Sequence, residues 1–119
     1  MSMKAKTRRV DSVTVVDISG RITLGDDLGE LRQLIRSLLD QGQKNILLNL
    51  ADVTYIDSSG IGELVSGFTA ASNKGGSLKL LSLTKKVQDL LQITKLLTVF
   101  DVYDDEATAI ASFSKATGA

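Results

Sequence analysis

The residues best placed to do chemistry in this 119-residue chain form one short run, Asp57-Ser58-Ser59-Gly60, followed at once by Ile61, Gly62 and Glu63. A carboxylate, two hydroxyls and a glycine in that order support three kinds of chemistry. Asp and Ser can cap a helix by accepting hydrogen bonds from the free N–H groups of its first turn, with Gly60 permitting a tight approach. A serine can also accept a phosphoryl group, which adds about −1.5 to −2 charges and three acceptor oxygens. Finally, Ser58 can serve as a nucleophile, provided that a base lies beside it. The chain has no histidine and no cysteine. Imidazole bases, thiol nucleophiles, disulfides and zinc-finger ligand sets are therefore absent together. A hydrolase built on Ser58 is the poorest of the three readings, and a serine-reactive phosphonate should fail to label it.

Other motifs are weaker. Ser-x-x-Lys occurs at Ser82–Lys85 and at Ser112–Lys115, one across a strand–helix junction and one near the chain end. Gly60-x-Gly62 fails as a dinucleotide fingerprint because Val65 holds the third glycine position, and no Walker-type phosphate loop is present. Asp101, Asp104, Asp105 and Glu106 form an acidic patch, which reads as helix-cap charge on a solvated surface. No acidic cluster has the spacing of a calcium loop. Neither a metal nor a cofactor is expected.

A phosphate on the Asp57–Gly60 turn would meet two opposed forces. The free N–H groups and positive dipole end of a helix N-terminus attract an anion, while the neighbouring Asp57 repels it. The fold would tolerate the new charge because it points to solvent. A partner pressed against the turn would have to desolvate it or face it with its own acids. The turn therefore suits a binding switch that needs no refolding.

Composition sets the frame around this turn. Hydrophobic residues make up 43% of the chain and charged residues 24%, so it can build a core without staples. A length of 119 residues suits one compact domain. Acids and bases balance at 14 each, which argues against an electrostatic nucleic-acid binder. The locally basic run Lys4, Lys6, Arg8, Arg9 has no interleaved aromatics and reads as a solvated tail. No apolar run reaches membrane-spanning length, and the polar N-terminus lacks the apolar block of a signal peptide. A cytoplasmic protein without membrane insertion is expected, and the lack of cysteine is in keeping with that.

The elements that must position the turn can be read from periodicity. Val13–Ser19 is β-branched and reads as a strand, with Thr7–Val10 a short partner in a hairpin. Asp27–Asp40 reads as a helix with Leu28, Leu31, Ile35 and Leu38 on one face, Asp27 as its cap and Gly42 just past its end. Asn45–Leu50 is a buried strand, and residues 52–57 form a loop or short extension in which Tyr55 and Ile56 can pack inward. Ser58–Asn73 is the second helix, with Ile61, Leu64, Val65, Phe68 and Ala71 as its apolar stripe. Gly60, Gly62 and Gly67 each cost it about 1 kcal/mol relative to Ala, which implies close backbone approach near its start, to the sheet or to a partner. Leu78–Leu83 is a further strand and Thr84 caps a helix over Lys85–Gln92, with Val87, Leu90 and Leu91 inward. Thr98–Tyr103 is the last strand. Asp104 caps a final helix through Phe113 with Ala107, Ile110 and Ala111 inward, and Lys115–Ala119 is a frayed tail. This order predicts an α/β fold: a mixed, mostly parallel central sheet of four to five strands, about four helices and an N-terminal hairpin. Loops at the carboxyl ends of the strands carry function in such folds, and the loop after Asn45–Leu50 leads into Asp57–Gly60.

The stretch Asn49-Leu50-Ala51-Asp52-Val53-Thr54-Tyr55-Ile56-Asp57-Ser58-Ser59-Gly60-Ile61-Gly62 resembles the signature of STAS domains, shared by sulfate transporters and anti-sigma factor antagonists. The likeness continues through residues 75–80 and 87–97 to Val99-Phe100, and covers about 13–113, most of one domain over 1–119 with a core near 7–114. That resemblance implies a regulator switched by phosphorylation. In free-standing members an anti-sigma factor that is also a serine kinase phosphorylates the first serine after the aspartate, which matches Ser58. Unphosphorylated, the domain binds the anti-sigma factor and frees a sigma factor. Phosphorylated, it lets go, and a serine phosphatase resets it. The resemblance also implies that ATP and Mg²⁺ belong to the kinase, so this chain would be a substrate and binding partner and not an enzyme. The family's contact surface maps to Asp57, Ser58, Ser59, Gly60, Ile61, Gly62 and Glu63, with Thr23, Asp26 and Asp27 from the loop at 20–27. Some members carry an acid shortly after the glycine matching Gly20. Here Arg21 and Thr23 stand there, with acids only at Asp26 and Asp27. The alternative within the family is a STAS accessory or scaffold subunit of a transporter or stress-signalling complex.

Overall fold

The structure, a computed structural model, describes residues 3–23 and 26–117, the side chains of 26–28 and 115–117 excepted. Its elements in chain order are β1 (Met3–Val10), β2 (Val13–Ile22), α1 (Asp26–Asp40), β3 (Asn45–Ile56), α2 (Ser58–Asn73), β4 (Ser77–Leu81), α3 (Lys85–Ile93), β5 (Val102–Tyr103) and α4 (Glu106–Thr117). One five-stranded sheet has the order β1-β2-β3-β4-β5. β1 runs antiparallel to β2 and the remaining pairs are parallel. This is the mixed, mostly parallel sheet with an N-terminal hairpin that the alternation of elements predicts.

Sequential addition of parallel strands on one side, with right-handed crossovers, places the connecting helices on a single face. Strand alternation then divides the core in two. Val16, Ile18, Ile46, Leu48, Leu78 and Leu80 join Leu31 and Ile35 of α1, Ile61 and Leu64 of α2, and Val87 and Leu91 of α3. The alternate residues Val13, Val15, Leu47 and Leu81 meet Ala109, Ile110 and Phe113 of α4. α4 covers only the early part of that face. Further along, Asp17, Ser19, Asn49 and Asp52 line a polar cleft, with Asn49 Nδ2 donating to Asp17 Oδ1 at 2.8 Å.

Several sequence expectations are corrected. The basic run is not a solvated tail but part of the strand β1, which begins at Met3 rather than Thr7. Arg8 forks onto Asp17 (2.7 and 3.1 Å) and Glu106 (2.8 and 2.7 Å), tying the hairpin to α4. Residues 52–56 are not a loop: β3 continues to Ile56, paired with β2 across register shifts at 17–19 and 20–21. These shifts break the alternation, so that Val53 and Ile56 are buried and Tyr55 is left at the surface. β4 stops at Leu81 because Ser82 turns left-handed (φ 58°). β5 is only Val102–Tyr103, and Phe100 instead packs edge-on to Phe68 with ring centroids 5.5 Å apart. The α4 cap is Asp105, not Asp104: Thr108 donates to Asp105 Oδ2 from its N–H (2.9 Å) and its hydroxyl (2.8 Å). That shift in frame buries Ala109 while Ala107 and Ala111 stay exposed. α1 begins at Asp26, so Asp27 lies within the helix and is not its cap; its side chain, that of Leu28 and the side chains of the tail from Lys115 lie outside the described residues.

The two glycines at the start of α2 differ in kind. A Cβ on Gly60 would lie 2.5 Å from the Ile22 carbonyl oxygen and 2.6 Å from Ile56 Cγ1, whereas one on Gly62 would meet nothing within 4 Å. Gly60→Ala should therefore destabilise the fold by about 1–3 kcal/mol, since backbone cannot yield cheaply. Gly62→Ala should stabilise it by up to about 1 kcal/mol. Urea denaturation of both variants checks this, and a Gly60→Ala protein as stable as wild type would refute the packing argument.

The Arg8 fork has a pH signature. Hydrogen bonds from Arg8 hold both Asp17 and Glu106 below the ordinary carboxylate range, against a smaller opposing effect of burial. Carboxyl groups depressed in the folded state contribute stability that is present at neutral pH and lost as pH falls through their folded values. The three side chains are 36–40% exposed, so solvent screening limits the network to about 1 kcal/mol. Arg8→Ala should lose about that much at pH 7, and the gap to wild type should close as the pH drops below about 4. Thermal melts across that range test it, and a gap that widens in acid would contradict it.

Candidate functional site

The site is the junction where β3 ends and α2 begins. Asp57 is the N-cap of α2 in extended conformation (φ −102°, ψ −179°), and its Oδ1 accepts from the Gly60 N–H at 2.9 Å. Its own N–H donates to the Ile22 carbonyl at 3.3 Å, and its carbonyl accepts from the Ile61 N–H at 3.0 Å. Two strand ends and one helix are thus joined at this residue. Ser58 then occupies the first position of a 16-residue helix with its side chain exposed, and Ser59 is half-buried. An exposed hydroxyl at the positive end of a helix can carry an anion, since the dipole and the first-turn N–H groups favour negative charge.

The residues expected to meet a partner separate into two groups. Asp57, Ser58, Ser59 and Gly62 reach the surface, while Gly60 and Ile61 are buried against the ends of the strands. Glu63 is only 4% exposed. Its carboxylate accepts from Arg32 Nε at 3.0 Å and from Arg32 Nη2 at 2.9 Å, a two-pronged pair that locks α1 to α2. Its charge is committed within the fold, and the exposed end of that pair is Arg32. A surface acid at the sixth position of a helix looks the same in sequence as one turned onto a neighbouring helix. Thr23 is half-buried just beyond β2. Asp26 and Asp27 fall in the first turn of α1, and their side chains lie outside the described residues.

Residues that sequence reasoning did not single out stand next to Ser58. A cleft of about 490 Å³ has Tyr55, Ile56 and Ser58 on one side and Lys86, Leu90 and Ile93 on the other. Arg21, opposite Tyr55 in the β2–β3 register, places its guanidinium 5.2 Å from the Tyr55 ring centre, and the Lys86 ammonium lies 5.5 Å from it. The signal for this cleft was hidden by the expectation that Tyr55 packs inward and that α3 ends at Gln92. α3 includes Ile93, which is 77% exposed.

The acidic patch behaves as structure. Asp105 caps α4, Glu106 holds Arg8, and Asp101 lies 3.8 Å from the ammonium of buried Lys79. Among the described residues no group of three or more metal-ligating side chains converges, and no helix there is long and apolar enough to cross a membrane.

Comparison with known proteins gives this geometry a family. The STAS domain profile matches residues 4–109. The anti-sigma-B factor antagonist of Bacillus subtilis is 31% identical over 102 residues, covering 86% of this chain and 92% of that protein. Among solved structures, an anti-sigma factor antagonist from Mycobacterium paratuberculosis superposes with a TM-score of 0.84 at 19% identity, covering 95% of each chain. The Bacillus cell fate determinant SpoIIAA, solved in its phosphorylated form, superposes at 0.72 and 20% identity, covering 92% of this chain and 98% of that one. These two likenesses establish the shared fold. With the profile spanning both strand ends, the Asp57 cap and the helices around them, this chain belongs to the STAS domain family.

Proposed function

We propose that this chain is an anti-sigma factor antagonist that docks on its anti-sigma factor through the Asp57–Gly62 turn and is released when Ser58 is phosphorylated. The observation that carries the reading is the placement of Ser58: its side chain is exposed at the first position of α2, directly beside an N-cap that the fold already uses. A phosphate there adds charge at an exposed surface, so the fold persists while a docked partner is expelled. The relative from Bacillus subtilis, 31% identical, carries the same functional name.

The partner in this reading is an anti-sigma factor with serine kinase activity, and a serine phosphatase restores the unmodified form. The protein is the substrate in both reactions. Thr23 beyond β2 and Asp26 and Asp27 in the first turn of α1 extend the docking surface, and Gly62 lets a partner's backbone approach α2 closely, which is why an exposed helical position with no packing constraint holds glycine.

Incubation with the cognate kinase and ATP should add one phosphate to the wild type and none to Ser58→Ala, read by intact mass. Modification of Ser59 in its place would sink the residue assignment. Ser58→Asp should raise the calorimetric Kd for the anti-sigma factor about tenfold or more, the equivalent of at least about 1.4 kcal/mol. Equal affinity of the two forms would end the switch reading.

A further inference from the structure

The cleft beside Ser58 has features that neither the cap nor the phosphate uses. Ile93 is 77% exposed and Tyr55 is 37% exposed, and both line the cleft together with Leu90. Arg21 and Lys86 both lie over the Tyr55 ring. Of the cleft's two carboxylates, Asp89 pairs with Lys85 at 3.4 Å, while Asp57 accepts from the Gly60 N–H at 2.9 Å and keeps its charge. Among the described residues, Arg21 and Lys86 form no ion pair within the chain. Among the described side chains, Arg21 and Lys86 thus outweigh Asp57 by one positive charge, and both cations sit against the exposed Tyr55 ring.

We infer that Arg21, Tyr55, Lys86 and Ile93 form a second docking element continuous with the Ser58 turn, built for an amphipathic acidic segment of the anti-sigma factor. A carboxylate of that segment seats against Arg21 and Lys86, and an apolar side chain packs on Ile93, Leu90 and the Tyr55 ring. Tyr and Arg are the residue types that concentrate binding energy at interfaces, and cations held over an aromatic face are already positioned to receive an anion. The inference rests on the function proposed above and deepens it. Ser58 lines the same cleft as Lys86, so a phosphate on Ser58 would repel the incoming carboxylate and compete with it for the Lys86 ammonium. One modification then weakens both docking elements.

The test is calorimetric titration of the purified anti-sigma factors of the source organism with wild type, Arg21→Glu, Lys86→Glu, Ile93→Ser and Ser58→Asp. Lys74→Glu serves as control, because Lys74 is exposed at the far end of α2, about 24 Å away along the helix axis. Circular dichroism melts confirm that each variant is folded. Arg21→Glu, Lys86→Glu and Ile93→Ser should each raise Kd about tenfold, while Lys74→Glu stays within twofold. An acid-to-Lys change in the partner segment should restore binding to Lys86→Glu. If Arg21→Glu and Lys86→Glu bind within twofold of wild type while Ser58→Asp still releases the partner, the cleft inference fails and the proposed function stands. If the wild type binds none of the anti-sigma factors, or Ser58→Asp binds as well as wild type, the proposed function fails and the cleft inference falls with it. A dimer of the free chain that Ile93→Ser dissolves would give the cleft to a second copy and overturn the inference.

Discussion

The close approach of Gly60 to the end of the sheet governs the geometry of this protein. With no side chain at that position, the first turn of α2 presses against the Ile22 carbonyl and the Ile56 side chain. Asp57 bridges the same point through its backbone bond to Ile22 and its side-chain bond to Gly60. Ser58, at the rim of this seat, keeps its side chain exposed, while Gly60 and Ile61 behind it are buried. The exposed serine is thus a product of packing, and the rigidity of its mounting is what would allow a charge to be added without disturbing the core.

The central part of this arrangement was legible in the sequence because it rests on local rules. The limits of α2, the Asp57 cap and the Thr84 cap follow from cap chemistry and helical periodicity, which act over a few residues. Gly60 was legible as a close-approach position, although only the three-dimensional contact separates it from Gly62, which touches nothing. What the sequence did not reveal depends on partners distant along the chain. The basic run at 4–9 became a strand because β2 supplies a pairing edge, and Arg8 found Asp17 and Glu106 at separations of 9 and 98 residues. Glu63 looked like a surface acid until α1 delivered Arg32 to it. Tyr55 changed faces because the β2–β3 ladder is shifted twice, which alters side-chain alternation in a way no single-strand pattern records.

The two faces of the sheet are used differently. Three helices cover one face and supply its large core, so the strands can extend past the sheet's centre and carry a turn at their carboxyl ends. The other face has one helix, α4, anchored by Phe113, by Ile110 and by the buried Lys79, whose ammonium donates to the Ser112 carbonyl (3.3 Å) and hydroxyl (2.9 Å). Lys79 also sits 4.7 Å from the Phe113 ring centre, so one lysine meets both the backbone and the aromatic surface of α4. Fixing the charge there orients the helix without demanding a large apolar contact.

The hairpin strand β1 has a consequence for how the molecule behaves in a crowded solution. It is the outer strand on one side of the sheet, eight residues long, with one row of backbone donors and acceptors that pairs with no other strand among the described residues. Such an edge invites a second molecule to add its own strand and begin a fibre. Lys4, Lys6 and Arg9 all stand exposed along it and form no ion pair among the described residues. Two copies approaching edge to edge would bring like charges within a strand's spacing of one another. A segment that contributes little to the core thereby keeps a small protein with an open sheet from polymerising with itself.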